Sequence, residues 1–381
     1  MPTFGPRRVL YFNTWSSAHG GSSTSLLDIV RSLDRRRFEP LVVCPEPGEL
    51  PRRLAAIDVP VIIHQLSHFN REEVWDFLRE VPWYLRLLRR QRIALVHGNT
   101  SSSRRSLLQA TAIARLPYIQ HVRNGARAPR LTIGCRYAAR IVTNSNGAAA
   151  ELYADPLLSP KTVTLYNAVD LAAYESRDDR RMEIGAGSRP VVGFVGQIVP
   201  RKGVLTLLRA FPAVLEQFPE AWLVIVGCAP PGETAYEDAC RATATELGIQ
   251  EHVRFVGYRT DVPAWMRTFD VFALPTRSEP FGKVIIEAMA AGCPVVASRV
   301  GGIPEIMTGP ELGTLVEPDD ESALARGIHE YLSNPGRAAS VASAGRRHAV
   351  SRFGLAGMMQ QLQDLYDDVL AGRPASAARA A

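Results

Sequence analysis

Short apolar runs rich in valine, isoleucine and leucine recur along this chain, separated by longer polar or amphipathic stretches. A brief continuous apolar run bounded by turn residues reads as a strand buried on both faces. In the first half such runs fall near Val9–Thr14, Leu41–Cys44, Val61–Gln65, Ala94–His97, Tyr118–His121, Ile141–Asn144 and Val163–Tyr166. In the second half they recur near Val191–Val195, Leu223–Val226, Val253–Val256, Val271–Leu274, Val295–Ala297 and Gly313–Val316. Helical periodicity fills most of the gaps, as in Ser23–Leu33 and Arg71–Gln91. Alternation of this kind predicts an α/β protein with parallel sheets and helices on both faces. The polar stretch Glu175–Arg189 reads as a linker between two doubly wound domains. In such sheets ligands bind beyond the strand C-termini, so two facing domains would form one central cleft.

The sharpest local signal follows the strand near Val271–Leu274, where the chain reads Glu279-Pro-Phe-Gly-Lys-Val-Ile-Ile-Glu287. The pattern predicts a helix from about Phe281 to Ala290, with Pro280 tolerated in its first turn and Gly292 as its stop. The first amides, near Phe281, Gly282, Lys283 and Val284, would lack intrahelical acceptors and suit a phosphate. Glu287 would lie roughly 9 Å further along the axis, about the span from a diphosphate to a ribose diol. A carboxylate there accepts two hydrogen bonds from such a diol. A solvated helix face is the bland alternative, but Glu287 stands among Val284, Ile285, Ile286, Ala288 and Met289. A charge in that setting needs a partner. Glu279 could bind a sugar hydroxyl in the same manner.

Two glycine-rich loops add to this picture. Thr14–Ser22, containing Gly20 and Gly21, follows the first strand and reads either as an amide cradle for an anion or as a plain turn. Gly196–Gly203 carries Arg201 and Lys202 just ahead of a helix. Cations oppose the helix dipole there, and a bound diphosphate would neutralise them.

Length and composition fit this reading. At 381 residues the chain suits two domains. Its five scattered cysteines lack metal-ligand spacing and read as reduced cytosolic thiols. The beginning reads as a first strand and not as a signal peptide, and no apolar stretch is long enough to span a membrane. The expected protein is cytoplasmic and soluble, or at most peripheral at the inner membrane face. Charge is uneven: Trp75 to Arg140 holds thirteen arginines against Asp76 and Glu80, a balance of +11 within a net +6. That excess points to an anionic partner for the first domain. Trp75, Trp83 and Tyr84 lie among these arginines at helical spacing, which suits either a membrane surface or a core stripe, with Pro82 expected to break the helix.

Taken in order, Gly196 to Lys202-Gly203, Phe255-Val-Gly257, Glu279…Glu287 and Gly301-Gly302-Ile-Pro-Glu305 resemble the family 4 glycosyltransferases. The first domain adds Gly20-Gly21, His121, Asn144-Ser145 and Tyr166-Asn167-Ala168-Val169-Asp170, with Ala168 where the family's turn has glycine. The resemblance implies the GT-B fold, with an acceptor domain at 1–175, a donor domain at 190–350 and a C-terminal helix at 351–381 returning to the first. It implies a retaining, metal-independent transfer of a hexose-type sugar from a UDP- or GDP-sugar to an acceptor in glycan or glycolipid biosynthesis. No Asp-x-Asp pair occurs, and no cofactor or metal is expected. By position, Arg201 and Lys202 would hold the diphosphate, with Gly196 beside them. Glu279 would orient the sugar, with the Phe281 and Gly282 amides, and Glu287 would hold the ribose. The base would lie by Gly257, Tyr258 and Arg259. His121 would contact the transferred sugar, unless it is merely tethered to the Arg123–Gly125 turn, and Gly20, Gly21 and Asn167 would face the acceptor. A nucleotide-sugar epimerase, a non-catalytic sugar-nucleotide binder, a small-molecule glycosyltransferase and a nucleic-acid binder remain as alternatives, the last disfavoured.

Overall fold

The computed structural model describes residues 5–14, 16, 21–65, 74–100, 105–123, 129–176 and 178–373, without the side chains of 74–79 and 129–132. The described residues form two compact units, one of 1–167 with 355–381 and one of 168–354.

The first unit holds β1 (Arg7–Phe12), β2 (Phe38–Cys44), β3 (Val61–Ile63), β4 (Ile93–Gly98), β5 (Tyr118–Val122), β6 (Arg140–Thr143) and β7 (Thr162–Thr164). They pair in parallel in the order β3-β2-β1-β4-β5-β6-β7. Alternation along β1 explains its unbroken apolar run. Val9 and Tyr11 enter one core with helix Gly21–Ser32, while Leu10 and Phe12 enter the other with Tyr84, Leu87 and Leu88. The helix Leu355–Leu370 closes the first core, burying Met359, Leu362, Gln363, Tyr366 and Val369 at helical spacing. Asp367 on its polar side pairs with Arg7 and Arg37.

The second unit holds β8 (Val191–Val195), β9 (Trp222–Val226), β10 (Val253–Gly257), β11 (Val271–Leu274), β12 (Val295–Ser298) and β13 (Thr314–Val316). Their order is β10-β9-β8-β11-β12-β13, again all parallel. Every strand expected from the sequence is present. Residues 178–189 are not a loose connection but are pinned to this unit. Arg180 donates from its amide to Thr268 Oγ1 (2.8 Å) and from Nε to Asp261 (2.8 Å), and Arg181 pairs with Asp270 (2.6 Å).

Three local expectations need correction. The helix after β11 starts at Lys283, not Phe281, because Gly282 adopts φ 102°, a left-handed conformation no helix accommodates. Pro280 therefore lies outside the first turn, and Phe281 is a core residue packed edge-on against Phe353. Pro82 does not break its helix, which runs Val74–Arg90. Tyr84 on that helix is fully buried, and Trp83 is half-buried and stacked on His64, so neither presents a ring to a headgroup layer. The Trp75 side chain lies outside the described residues.

Candidate active site

Each sheet reverses its strand order once, between β1 and β4 in the first unit and between β8 and β11 in the second. At such a switch point the flanking loops diverge and leave a crevice beyond the strand ends. Polar residues gather at both.

In the second unit β8 runs into Gly196 and then a single 3₁₀ turn, Pro200–Lys202, ahead of helix Val204–Leu215. The turn is tied to the segment after β11, because the Arg277 amide and Thr276 Oγ1 both donate to Arg201 O (2.8 Å each). That anchoring separates the two cations. Arg201 stays exposed, while Lys202 turns inward past Gly196 and its ammonium pairs with the Glu279 carboxylate. The two side chains are only 11% and 12% exposed. Glu279 is held by its backbone as well: the Gly302 amide donates to its carbonyl (3.1 Å). Gly301, at φ 54°, approaches so closely that a Cβ there would sit 1.9 Å from Glu279 O. Gly282 lies against the Glu279 side chain and opens helix Lys283–Ala291. One turn along that helix, Lys283 Nζ stands 3.9 Å from Glu287 Oε1, with both side chains largely covered, and Val284 is half-buried.

The segment beyond β10 carries Gly257, Tyr258 and Arg259. Gly257 O accepts the Gly227 amide (2.8 Å) and Tyr258 is exposed. Arg259, however, is forked onto Glu183 (3.0 and 3.3 Å) and Asp261 (3.1 and 3.4 Å) and lies over the Trp265 ring. Its hydrogen bond, joined by that of Arg180, holds the Asp261 carboxyl down at about 2. Arg259 thus belongs to an ion-pair network that pins residues 178–189, while its neighbour Tyr258 is exposed. Sequence reasoning also missed Arg277, which forks onto Asp319 (2.8 and 3.0 Å) beside the Arg201 turn.

In the first unit the switch point is bridged by asparagines. The Asn99 amide donates to Phe12 O (2.9 Å) and its Nδ2 to Asn13 Oδ1 (2.9 Å), both residues being fully buried. Arg123, one residue past β5, donates to Asn99 O (3.0 Å), Asn99 Oδ1 (2.9 Å) and Asn167 Oδ1 (3.0 Å). Burial lowers its guanidinium to about 10, so it remains a cation at neutral pH. Ser25 on helix Gly21–Ser32 also donates to Asn167 Oδ1 (3.4 Å), which joins the Gly21 helix to the cluster. Gly20 lies outside the described residues. His121, on β5, is 3% exposed and meets His97 of β4 through Nδ1 (3.4 Å). Burial and then the Arg123 cation push the His97 imidazole down to about 3 and that of His121 well below 6.5, so both rings are neutral. His121 Nε2 and Asn144 Oδ1 are buried without a hydrogen-bond partner among the described residues. A signal for this cluster exists in the sequence, where Asn or Arg directly follows the apolar runs at Asn13, Asn99, Arg123, Asn144 and Asn167.

Residues 176–348 match the family model described as glycosyl transferases group 1, and residues 19–173 match that of glycosyltransferase family 4. The chain belongs to glycosyltransferase family 4. A GDP-mannose-dependent α-(1-6)-phosphatidylinositol monomannoside mannosyltransferase of Mycolicibacterium smegmatis is 37% identical over 188 residues, 47% of this chain and 48% of that one. A D-inositol 3-phosphate glycosyltransferase of Corynebacterium glutamicum is 34% identical over 211 residues, 53% of this chain and 50% of that one. The chain thus spans about half the length of these curated relatives. Among solved structures, Anabaena HepE in complex with UDP-glucose superposes with a TM-score of 0.82 at 25% identity, over 95% of this chain and 99% of that one. The fold is GT-B.

Proposed function

We propose that this chain is a glycosyltransferase that moves a sugar, with retention and without a metal, from a UDP- or GDP-sugar to an acceptor hydroxyl. The buried Lys202–Glu279 pair at the second switch point carries the reading. An ammonium and a carboxylate held there are the two groups a nucleotide sugar needs, one for diphosphate and one for sugar hydroxyls. Donor binding exchanges their partners, the diphosphate taking Lys202 and the sugar taking Glu279. As the glycosidic bond breaks, charge grows on the departing phosphate oxygen, and Lys202 and Arg201 stabilise it. The acceptor hydroxyl attacks from the face the diphosphate leaves, its proton passing to the departing oxygen, so the configuration is kept. Relatives named for GDP-mannose and for UDP-glucose support this donor class.

The test is a thermal-shift panel of nucleoside diphosphates and their sugars, followed by labelled-sugar transfer in EDTA. The expected result is a rise in melting temperature with UDP or GDP, since a ligand that binds the folded state stabilises it. Transfer should survive the chelator. Loss with EDTA and recovery with magnesium or manganese would overturn the metal-free reading, and no shift with any nucleotide would overturn the donor reading.

Glu287→Gln should weaken nucleoside diphosphate binding roughly ten- to a hundredfold with little change in melting temperature. An amide replaces one of two charged acceptor oxygens on the ribose, a bond worth about 1.5–3 kcal/mol. Calorimetry showing unchanged affinity would remove Glu287 from the ribose.

For the acceptor, we propose an anionic glycan or lipid-linked sugar at a membrane surface. Both curated relatives are named for phosphate-bearing inositol acceptors. No helix among the described residues is long and apolar enough to cross a membrane. Arg86, Arg89, Arg90 and Arg92 are all exposed on one segment, while its described aromatics face inward. Attachment would therefore be electrostatic, about 1 kcal/mol per arginine. Cosedimentation with anionic liposomes should occur in low salt and vanish in about 0.5 M salt as screening shortens. Replacing the four arginines by glutamine should release the protein while leaving nucleotide binding intact. A wild type that stays in the supernatant at every lipid composition would favour a soluble small-molecule acceptor.

A further inference from the structure

Behind His121 runs a buried line of side chains that the transfer reaction as described leaves unused. His97 Nδ1 meets the Tyr366 hydroxyl at 2.6 Å, and that hydroxyl meets Tyr11 OH at 3.0 Å. With the 3.4 Å contact between His97 Nε2 and His121 Nδ1, this makes four side chains in series from β1, helix Leu355–Leu370, β4 and β5. Tyr11, Tyr366 and His97 have no exposed surface. The line ends at His121 Nε2, buried with no partner among the described residues.

Each neutral imidazole carries one N–H, so the line runs in one of two polarities unless Tyr366 accepts from both sides, which strands its own buried hydroxyl proton. In one, Tyr11 donates to Tyr366, Tyr366 to His97 Nδ1, and His97 Nε2–H to His121 Nδ1, which leaves the His121 proton on Nε2. In the other, every bond reverses, His121 Nε2 becomes a bare acceptor, and the Tyr11 hydroxyl must point its proton outward. Tyr11 OH contacts no acceptor but Tyr366 among the described residues. The first polarity thus leaves one buried group without a partner, the His121 Nε2–H, whereas the reversed one leaves two, the Tyr11 O–H and the bare His121 Nε2. The geometry points to Tyr366 and His97, backed by Tyr11, as a hydrogen-bond relay in which these two residues fix His121 in the Nε2–H tautomer, making it a donor to a sugar oxygen of the substrate. Tyr366 and His97 are positioning residues in this scheme, and the C-terminal helix belongs to the site through Tyr366. The identity of the ligand rests on the glycosyltransferase reading; the relay itself does not.

The experiment is a long-range ¹H–¹⁵N spectrum of ¹⁵N-histidine-labelled full-length protein without ligand, with His121→Gln and His97→Gln for assignment. The relay requires protonated Nε2 on both rings. Protonated Nδ1 on either overturns it, whatever the activity. Tyr366→Phe should shift both rings toward a mixture of tautomers. It should weaken binding of UDP-glucose or GDP-mannose roughly three- to tenfold, the worth of one neutral hydrogen bond, while binding of UDP or GDP stays the same. Tyr11→Phe removes only the first donor and should leave the tautomer and both affinities unchanged. A tautomer flip in Tyr11→Phe overturns the polarity, and an unchanged sugar-nucleotide affinity in Tyr366→Phe overturns the positioning role. Because the tautomer is read without ligand, a failed relay is distinguished from a failed donor reading, which the nucleotide panel reports.

Discussion

Lys202→Met is expected to remove most of the turnover and also to cost stability, and a double variant should separate the two losses. Lys202 and Glu279 face each other with about nine-tenths of each side chain covered. Taking away one partner of such a pair strands a buried charge, a loss of about 3–5 kcal/mol. Turnover should fall by about 10²–10³-fold, as when one preorganised donor to a developing anion is removed. Lys202→Met with Glu279→Gln removes the stranded charge, so stability should largely return while activity does not. Donor affinity should fall less than turnover, since phosphate charge grows as the bond breaks. The checks are urea unfolding, calorimetry with the nucleoside diphosphate and single-turnover transfer. Equal losses in binding and turnover would reduce Lys202 to a binding residue, and recovery of activity in the double variant would mean the first loss was misfolding.

The strand framework was legible because each strand is short, buried on both faces and bounded by turn residues. Val191–Val195 and Val271–Leu274 are fixed to the residue by apolar runs alone. What was not legible depends on contacts distant in sequence or on single dihedral angles. Phe281 looks like a first helical residue until Gly282 is seen at φ 102°. Nothing local to Arg259 announces its partner Glu183, 76 residues earlier. Trp83 and Tyr84 sit at a spacing that suits either a membrane face or a core, and only packing decides between them. At the candidate site the sequence offered the residue types but not their partners. Lys202 and Glu279 are 77 residues apart, and His97 and Tyr366 are 269 apart. No periodicity in the chain encodes either pairing.

The buried histidines should also make this fold sensitive to mild acid. In the unfolded chain an imidazole titrates near 6.5. In the folded first unit, burial and then Arg123 hold His97 down at about 3 and His121 well below its ordinary value. A depressed folded pKa means that the unfolded state binds more protons as pH falls. The stabilising contribution is therefore complete above about pH 6.5 and drains away below it, by about 1.4 kcal/mol per pH unit for each ring. Arg123 is charged throughout this window and adds repulsion to any imidazolium. The depressed carboxylates Asp34 and Asp261 titrate further down, so they do not compete in the same range. Between pH 7.5 and 5 the two histidines together should withdraw roughly 4 kcal/mol, a large share of an ordinary domain's 5–15. Urea unfolding followed across that range should give a steep loss in the wild type. In His97→Gln the slope should be shallower by about one ring's share, the rest coming from His121 and from His348, which burial also lowers, even though that variant begins less stable through loss of the Tyr366 bond. Equal stability at pH 5 and 7.5 would mean that these rings already take up protons in the folded state. The neutral line from Tyr11 to His121 would then be wrong along with the prediction.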